Sequence, residues 1–81
     1  MTIKQISEWI NNHMNMQQKR EYKGYGRIDE TIVHFENGDI FHQITDVISI
    51  WKEHTIMYIN GKEVYSKDLV YEGFGWKELE D

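Results

Sequence analysis

The chain contains no cysteine and no proline in 81 residues. Without cysteine it has no disulfide, no thiolate nucleophile and no cysteine-built zinc site. Without proline, no element is interrupted by a residue that lacks a backbone donor, and tight turns fall to Asn and Gly. No apolar run approaches the roughly 18 to 20 residues of a membrane-spanning helix, and no signal-peptide pattern is present. The expectation is therefore a cytoplasmic protein without a membrane partner. Positive charge is also scarce: nine Lys and Arg stand against fourteen Asp and Glu, a formal net charge of −5. At this length the chain predicts a single domain spanning 1–81, with a modest core.

The charges that are present are unevenly placed. Residues 1–28 hold five basic and two acidic side chains, whereas residues 29–81 hold four basic and twelve acidic ones. Two surfaces of different charge are expected if these segments do not interleave.

The clearest local signal is Thr31 to Ile44, TIVHFENGDIFHQI. Asn37-Gly38 between β-rich runs predicts a hairpin with a two-residue type I′ loop. That loop sets Glu36 opposite Asp39, Phe35 opposite Ile40, His34 opposite Phe41 and Val33 opposite His42. Val33, Phe35, Ile40, His42 and Ile44 then share the core face, and His34, Phe41 and Gln43 fall on the other. A second hairpin, Thr55 to Ser66, turns at Asn60-Gly61. It sets Ile59 opposite Lys62, Tyr58 opposite Glu63, Met57 opposite Val64 and Ile56 opposite Tyr65.

Ahead of the hairpins, residues 2–18 read as an amphipathic helix. Thr2 is a cap, Gln5 completes a capping box, and Ile3, Ile6 and Ile10 carry the apolar stripe beside Trp9. The Asn11-Asn12 pair weakens its middle, which leaves two expected ends, one near His13 and one through Met16 to Arg20. Residues 19–27, KREYKGYGR, read as a helix end running into a loop or Gly-kinked strand. Between the hairpins, Thr45-Asp46 reads as a turn and Val47 to Trp51 as a central strand. Lys67-Asp68 reads as another turn, Leu69 to Glu72 as the last strand, and Gly73 to Asp81 as a glycine-broken tail. The fold class predicted is α+β: an N-terminal helix on an antiparallel meander of five to six strands, bent enough to curl toward a small barrel. Within it, 1–20 form the helix and a basic linker, 28–72 the sheet and 73–81 an acidic tail.

No catalytic constellation emerges. His34 and His42 fall on opposite faces in the expected register, and no HxxH, HxxxH or HExxH spacing occurs, so no metal is expected. Ser7, Ser49 and Ser66 sit in no nucleophile-elbow context. The pattern predicts a non-enzyme without cofactors.

Three roles remain. Acidic side chains at turns and strand ends, with aromatic anchors, predict an interaction domain that occludes the basic surface of a protein partner. Its expected contacts are Glu36, Asp39, Asp46, Glu53, Tyr58, Glu63 and Tyr65. A concrete form is a phage or mobile-element inhibitor of a host nucleic-acid enzyme, a nucleic-acid mimic of the anti-CRISPR kind. The alternative is a single-stranded nucleic-acid-binding domain using Lys19, Arg20, Tyr22, Lys23, Tyr25 and Arg27, in which cations meet phosphate and tyrosines stack on bases. The third is a homo-oligomeric assembly subunit whose sheet edge pairs with copies of itself.

Overall fold

The computed structural model describes residues 1–79. Helix α1 spans Ile3–Asn11 and is followed by six strands: β1 Gln18–Tyr25, β2 Ile28–Phe35, β3 Ile40–Ser49, β4 Lys52–Ile59, β5 Lys62–Glu72 and β6 Gly75–Glu78. Every neighbouring pair is antiparallel, in the order β1-β2-β3-β4-β5-β6. The sheet is open, with β1 and β6 as its edges, so the curl toward a barrel expected from the sequence does not close.

The helix begins as its capping box dictates. Gln5 N–H donates to Thr2 Oγ1 at 3.1 Å, and Thr2 N–H donates to Gln5 Oε1 at 2.8 Å. It ends at Asn11, close to the earlier of the two expected ends. The reason lies at His13. Its N–H donates to the Ile10 carbonyl at 2.9 Å, while its ring Nδ1 engages the Trp9 carbonyl at 2.6 Å. A helix would give that carbonyl to the His13 N–H. The side chain takes it instead, and the chain turns away.

Of the helix end, loop and Gly-kinked strand expected over residues 19–27, the strand is what forms: residues 18–25 are edge strand β1. Two expected turns are absent. Thr45-Asp46 lies inside β3, opposite Thr55 and His54, and Lys67-Asp68 lies inside β5, opposite the same two residues. Neither pair contains Gly, and at Thr45-Asp46 the β-branched neighbours Ile44 and Val47 carry the strand through. The expected strand Val47–Trp51 divides: Val47 to Ser49 complete β3, and Ile50-Trp51 form the turn into β4. The glycine-broken tail contributes β6, which pairs with β5 from Leu69↔Glu78 to Glu72↔Gly75. The acidic end of that tail, residues 80–81, lies outside the described residues.

The hairpins differ in a way that decides the core. At the second, Asn60 (φ 53°) and Gly61 (φ 80°) form the two-residue I′ loop, and Ile59↔Lys62 and Tyr58↔Glu63 pair as expected. A bulge then places Val64 as an extra residue, so Met57 faces Tyr65 instead of Val64. At the first, Gly38 alone has positive φ (94°). Gly38 N–H donates to the Phe35 carbonyl at 3.0 Å and Phe35 N–H to the Asp39 carbonyl at 2.9 Å. This is a three-residue loop, a type I turn followed by a left-handed glycine. The expected pairing therefore slips by one: His34↔Ile40, Val33↔Phe41 and Ile32↔His42. A one-residue slip exchanges the faces of a whole strand. Phe41 and Gln43 join Val33 and Phe35 under the helix, and Ile40, His42 and Ile44 move to the opposite, open face.

The core is thus Ile6, Val33, Phe35, Phe41 and Tyr65, with Trp9, Ile10, Met16, Met57, Ile59 and Val64 packed around it. Trp9 meets Phe35 edge-on at 5.7 Å and stacks on His13 at 3.9 Å. Each large side chain buried here contributes about 1.5–3 kcal/mol.

Candidate functional site

The helix covers only part of its side of the sheet. Nine helical residues rise about 14 Å, whereas the eleven residues of β5 extend about 36 Å. The uncovered length lies toward the β1–β2, β3–β4 and β5–β6 turns. There the sheet carries its own aromatic layer. Trp51, in the β3–β4 turn, lies 5.9 Å from Tyr71 on β5, and Tyr71 meets Trp76 on β6 edge-on at 5.5 Å. The Tyr71 N–H donates to the Trp51 carbonyl at 2.7 Å and fixes the β3–β4 turn against β5. Phe74, at the tip of the β5–β6 turn, is fully exposed, and Ile50 is 77% exposed. Trp51 and Trp76 keep about half of their surfaces in water (57% and 44%). Isolated exposed apolar residues are ordinary, whereas large contiguous exposed apolar sets are uncommon on monomeric proteins.

Strand geometry accounts for this clustering. The three turns at this end alternate with two at the other, so Ile50-Trp51 and Gly73-Phe74 reach the same edge of the molecule. Gly73 (φ 65°) permits the tight reversal that exposes Phe74. Sequence reading placed Trp51 in a central strand and Phe74 and Trp76 in a tail. The signal available was the Gly-x-Gly at 73–75, which is turn chemistry between Tyr71 and Trp76.

The residues expected to contact a basic partner do not gather there. Glu36 is exposed in the β2–β3 turn and Glu63 on β5 beside the β4–β5 turn. Asp39 is held by three groups: His13 Nε2 at 2.7 Å, Asn37 Nδ2 at 2.9 Å and Asn60 Nδ2 at 3.0 Å. These bonds, His13 first, hold its carboxyl below the usual carboxylate range. Asp46 is 2.9 Å from Arg27 Nε. Glu53 sits on the helix side, opposite Val47 and Leu69, while Tyr58 is on the open face, stacked on His42 at 5.4 Å. Tyr65 is not a surface anchor. It is 6% exposed, because the β5 bulge turns it under the helix. Its hydroxyl donates to Glu78 Oε1 at 3.0 Å, and burial, then that bond, pushes its pKa up to about 12.

The basic stretch is divided as well. Arg20 and Tyr22 point to the helix side of β1, and Lys19, Lys23 and Tyr25 to the open side. Tyr25 donates to Glu30 Oε2 at 2.9 Å, and Arg27 is engaged with Asp46.

The open face holds three histidines, each beside a carboxylate. His34 Nε2 is 3.4 Å from Glu21, His42 Nε2 is 2.9 Å from Glu30, and His54 Nδ1 is 2.6 Å from Asp68. The slipped register brings His34 and His42 to one face, against the expectation of opposite faces. Even so, no group of three or more ligating side chains converges on a metal position among the described residues. A groove of about 320 Å³ runs between α1 and the sheet, lined by core residues with Arg20 and Gln18 at its rim. No helix among the described residues is long and apolar enough to cross a membrane.

The chain matches no protein-family model, no curated protein and no solved structure.

Proposed function

We propose that the chain is a protein-binding domain that docks through the aromatic end of its sheet. The observation that carries this reading is the contiguous Trp51–Tyr71–Trp76 layer flanked by exposed Phe74 and Ile50. Trp and Tyr dominate the energetics of protein interfaces, because each buries a large rigid area around one polar group. A cluster anchored by a backbone bond from β5 to the β3–β4 turn is preorganised, which lowers the ordering cost on binding.

Net charge of −5 steers the molecule toward a cationic partner. Occlusion of a basic surface is the narrower form of this reading, and an inhibitor of a host nucleic-acid enzyme, of the anti-CRISPR kind, is an instance of it. The counter-ions already beside Asp46 and Asp39 leave charge as the steering element and the aromatic end as the anchor.

The test is capture of partners from the native host by tagged protein, with wild type beside Phe74→Ser, Trp51→Ala and a control, Lys62→Glu, at the far end of the sheet. Phe74 is fully exposed, so Phe74→Ser keeps its thermal midpoint. A partner retained by wild type and by Lys62→Glu, and lost by both aromatic variants, supports the reading. Equal retention by all four proteins overturns it.

A further inference from the structure

We propose that β1 is a self-complementary edge, and that two copies of this chain join through it into one continuous antiparallel sheet about a two-fold axis at Tyr22. This surface is separate from the aromatic end.

The edge is open along its whole length. All eight residues of β1 are exposed, and among the described residues the strand has a neighbour on one side only. Neither proline nor a bulge interrupts it. Its backbone polarity follows from one bond. Glu36 N–H donates to the Gln17 carbonyl at 2.9 Å, so by antiparallel alternation residues 19, 21 and 23 also direct their backbone groups at β2. Gln18, Arg20, Tyr22 and Gly24 direct theirs outward. An unpaired row of this kind is a template for another strand.

Register is then selected by charge. Two copies of β1 can pair antiparallel only with outward residues facing outward residues. Centring on Glu21 sets Glu21 against itself and Lys19 against Lys23. Centring on Lys23 sets Lys23 against itself, and centring on Arg20 sets Arg20 against itself. Among the registers that pair five or more residues of β1, only the one centred on Tyr22 removes every like-charge pair. Glu21 then faces Lys23 of the second copy, twice over, at the positions without mutual hydrogen bonds, where side chains approach most closely. Tyr22 faces Tyr22 across the axis, and Lys19 faces Tyr25. Arg20 faces Gly24, which has no side chain to block it. Beyond that glycine lies Asp29 of the second copy, whose Oδ1 is 3.5 Å from the position a Cβ on Gly24 would take. The guanidinium of Arg20 then faces that carboxylate across the glycine, and within its own chain it donates to Gln18 Oε1 at 2.9 Å. The symmetric arrangement makes every contact off the axis twice, as a closed two-fold interface requires.

The test is the oligomeric state of the full chain by sedimentation velocity, from micromolar to millimolar concentration. Wild type is expected to reach a dimer. Lys23→Glu sets Glu21 against a carboxylate at both positions and weakens self-association by about tenfold or more. The double exchange Glu21→Lys with Lys23→Glu restores the dimer, because each copy then offers the opposite pair. Tyr22→Pro removes an outward donor that β2 does not use, so the fold persists and the dimer is lost. A wild type that stays monomeric throughout overturns the proposal. So does a Lys23→Glu variant that dimerises as tightly as wild type, or a folded double exchange that remains monomeric.

Discussion

His13 Nε2 lies 2.7 Å from Asp39 Oδ2, and this contact ties the chain leaving α1 to the turn between β2 and β3. The other ring nitrogen, Nδ1, faces the Trp9 carbonyl at 2.6 Å, which can only accept. Nδ1 therefore carries a proton. A carboxylate facing Nε2 also accepts, so the doubly protonated imidazolium satisfies both contacts at once. The bond to Asp39 is the largest cause of the raised His13 pKa, with the Trp9 carbonyl second. The ring is 7% exposed and stacks on Trp9, which holds it in place.

Stability should accordingly depend on pH through this pair. A histidine whose folded pKa exceeds its ordinary 6.5 contributes fully below that value and loses its contribution as pH rises through the raised one. Asp39, whose folded pKa is depressed, contributes fully above its ordinary 3.8 and loses its share as pH falls through the lowered value. The pair stabilises most between about pH 4 and pH 6.5. The thermal midpoints of wild type and His13→Gln should differ more at about pH 5.5 than at about pH 8.5, on the order of a few degrees. An equal difference at both pH values would show that the ring is neutral in the fold.

The slipped first hairpin makes a prediction that separates the two registers. Phe41 is 6% exposed beneath the helix, whereas Ile40 lies on the open face beside the β2–β3 turn. Phe41→Ala should cost about 3–5 kcal/mol, a large share of the stability of a domain of this size. Ile40→Ala should cost under about 1 kcal/mol. Denaturant titration of both variants decides the point, since the two-residue loop expected from the sequence would bury Ile40 and reverse the order.

Much of the fold was legible from residues 2–6 and 55–63. There the capping box and the Asn60-Gly61 turn depend on neighbours in sequence alone. The first hairpin was not, because Asn-Gly serves two loop geometries. The choice at Asn37-Gly38 is made by contacts distant in sequence: Asp39 is gripped by His13 from one side and Asn60 from the other. The choice between the two expected helix ends was hidden for the same reason, since His13 reads as a helical residue until its ring has Asp39 to meet. The aromatic end was legible only in parts. Trp51 and Phe74 are 23 positions apart, and only the merging of two expected strands into β5 brings Tyr71 between them.

Asn60 should be the least replaceable residue of either turn. It is the one non-glycine described with positive φ, and its side chain works in two directions. Its Oδ1 accepts from Ile40 N–H at 2.8 Å and its Nδ2 donates to Asp39 Oδ1 at 3.0 Å, so the β4–β5 turn holds the β2–β3 turn. Asn60→Ala removes both bonds and places a β-carbon in the left-handed region. The expected cost is about 2–4 kcal/mol. Asn60→Gly relieves the backbone but still loses both bonds, so it should fall between wild type and Asn60→Ala in denaturant titration. Equality of the two variants would assign the whole effect to the side-chain bonds.

Thr55 offers the opposite outcome, a substitution that stabilises. It is 1% exposed, central in β4, between Thr45 on β3 and Lys67 on β5. Its Oγ1 is buried and finds no hydrogen-bond partner among the described residues. An orphaned buried hydroxyl forfeits its hydration without compensation, a cost of about 1–3 kcal/mol. Valine has nearly the same shape, keeps the β-branch that suits a strand and carries no polar atom. Thr55→Val should therefore raise the denaturation midpoint with an unchanged dependence on denaturant, by about 1 kcal/mol. Thr55→Ser is the matched control: it keeps the hydroxyl, gives up the methyl group and should destabilise. A loss of stability in Thr55→Val comparable to that in Thr55→Ser would mean that the hydroxyl is satisfied, with a water molecule between β3 and β4 as its partner.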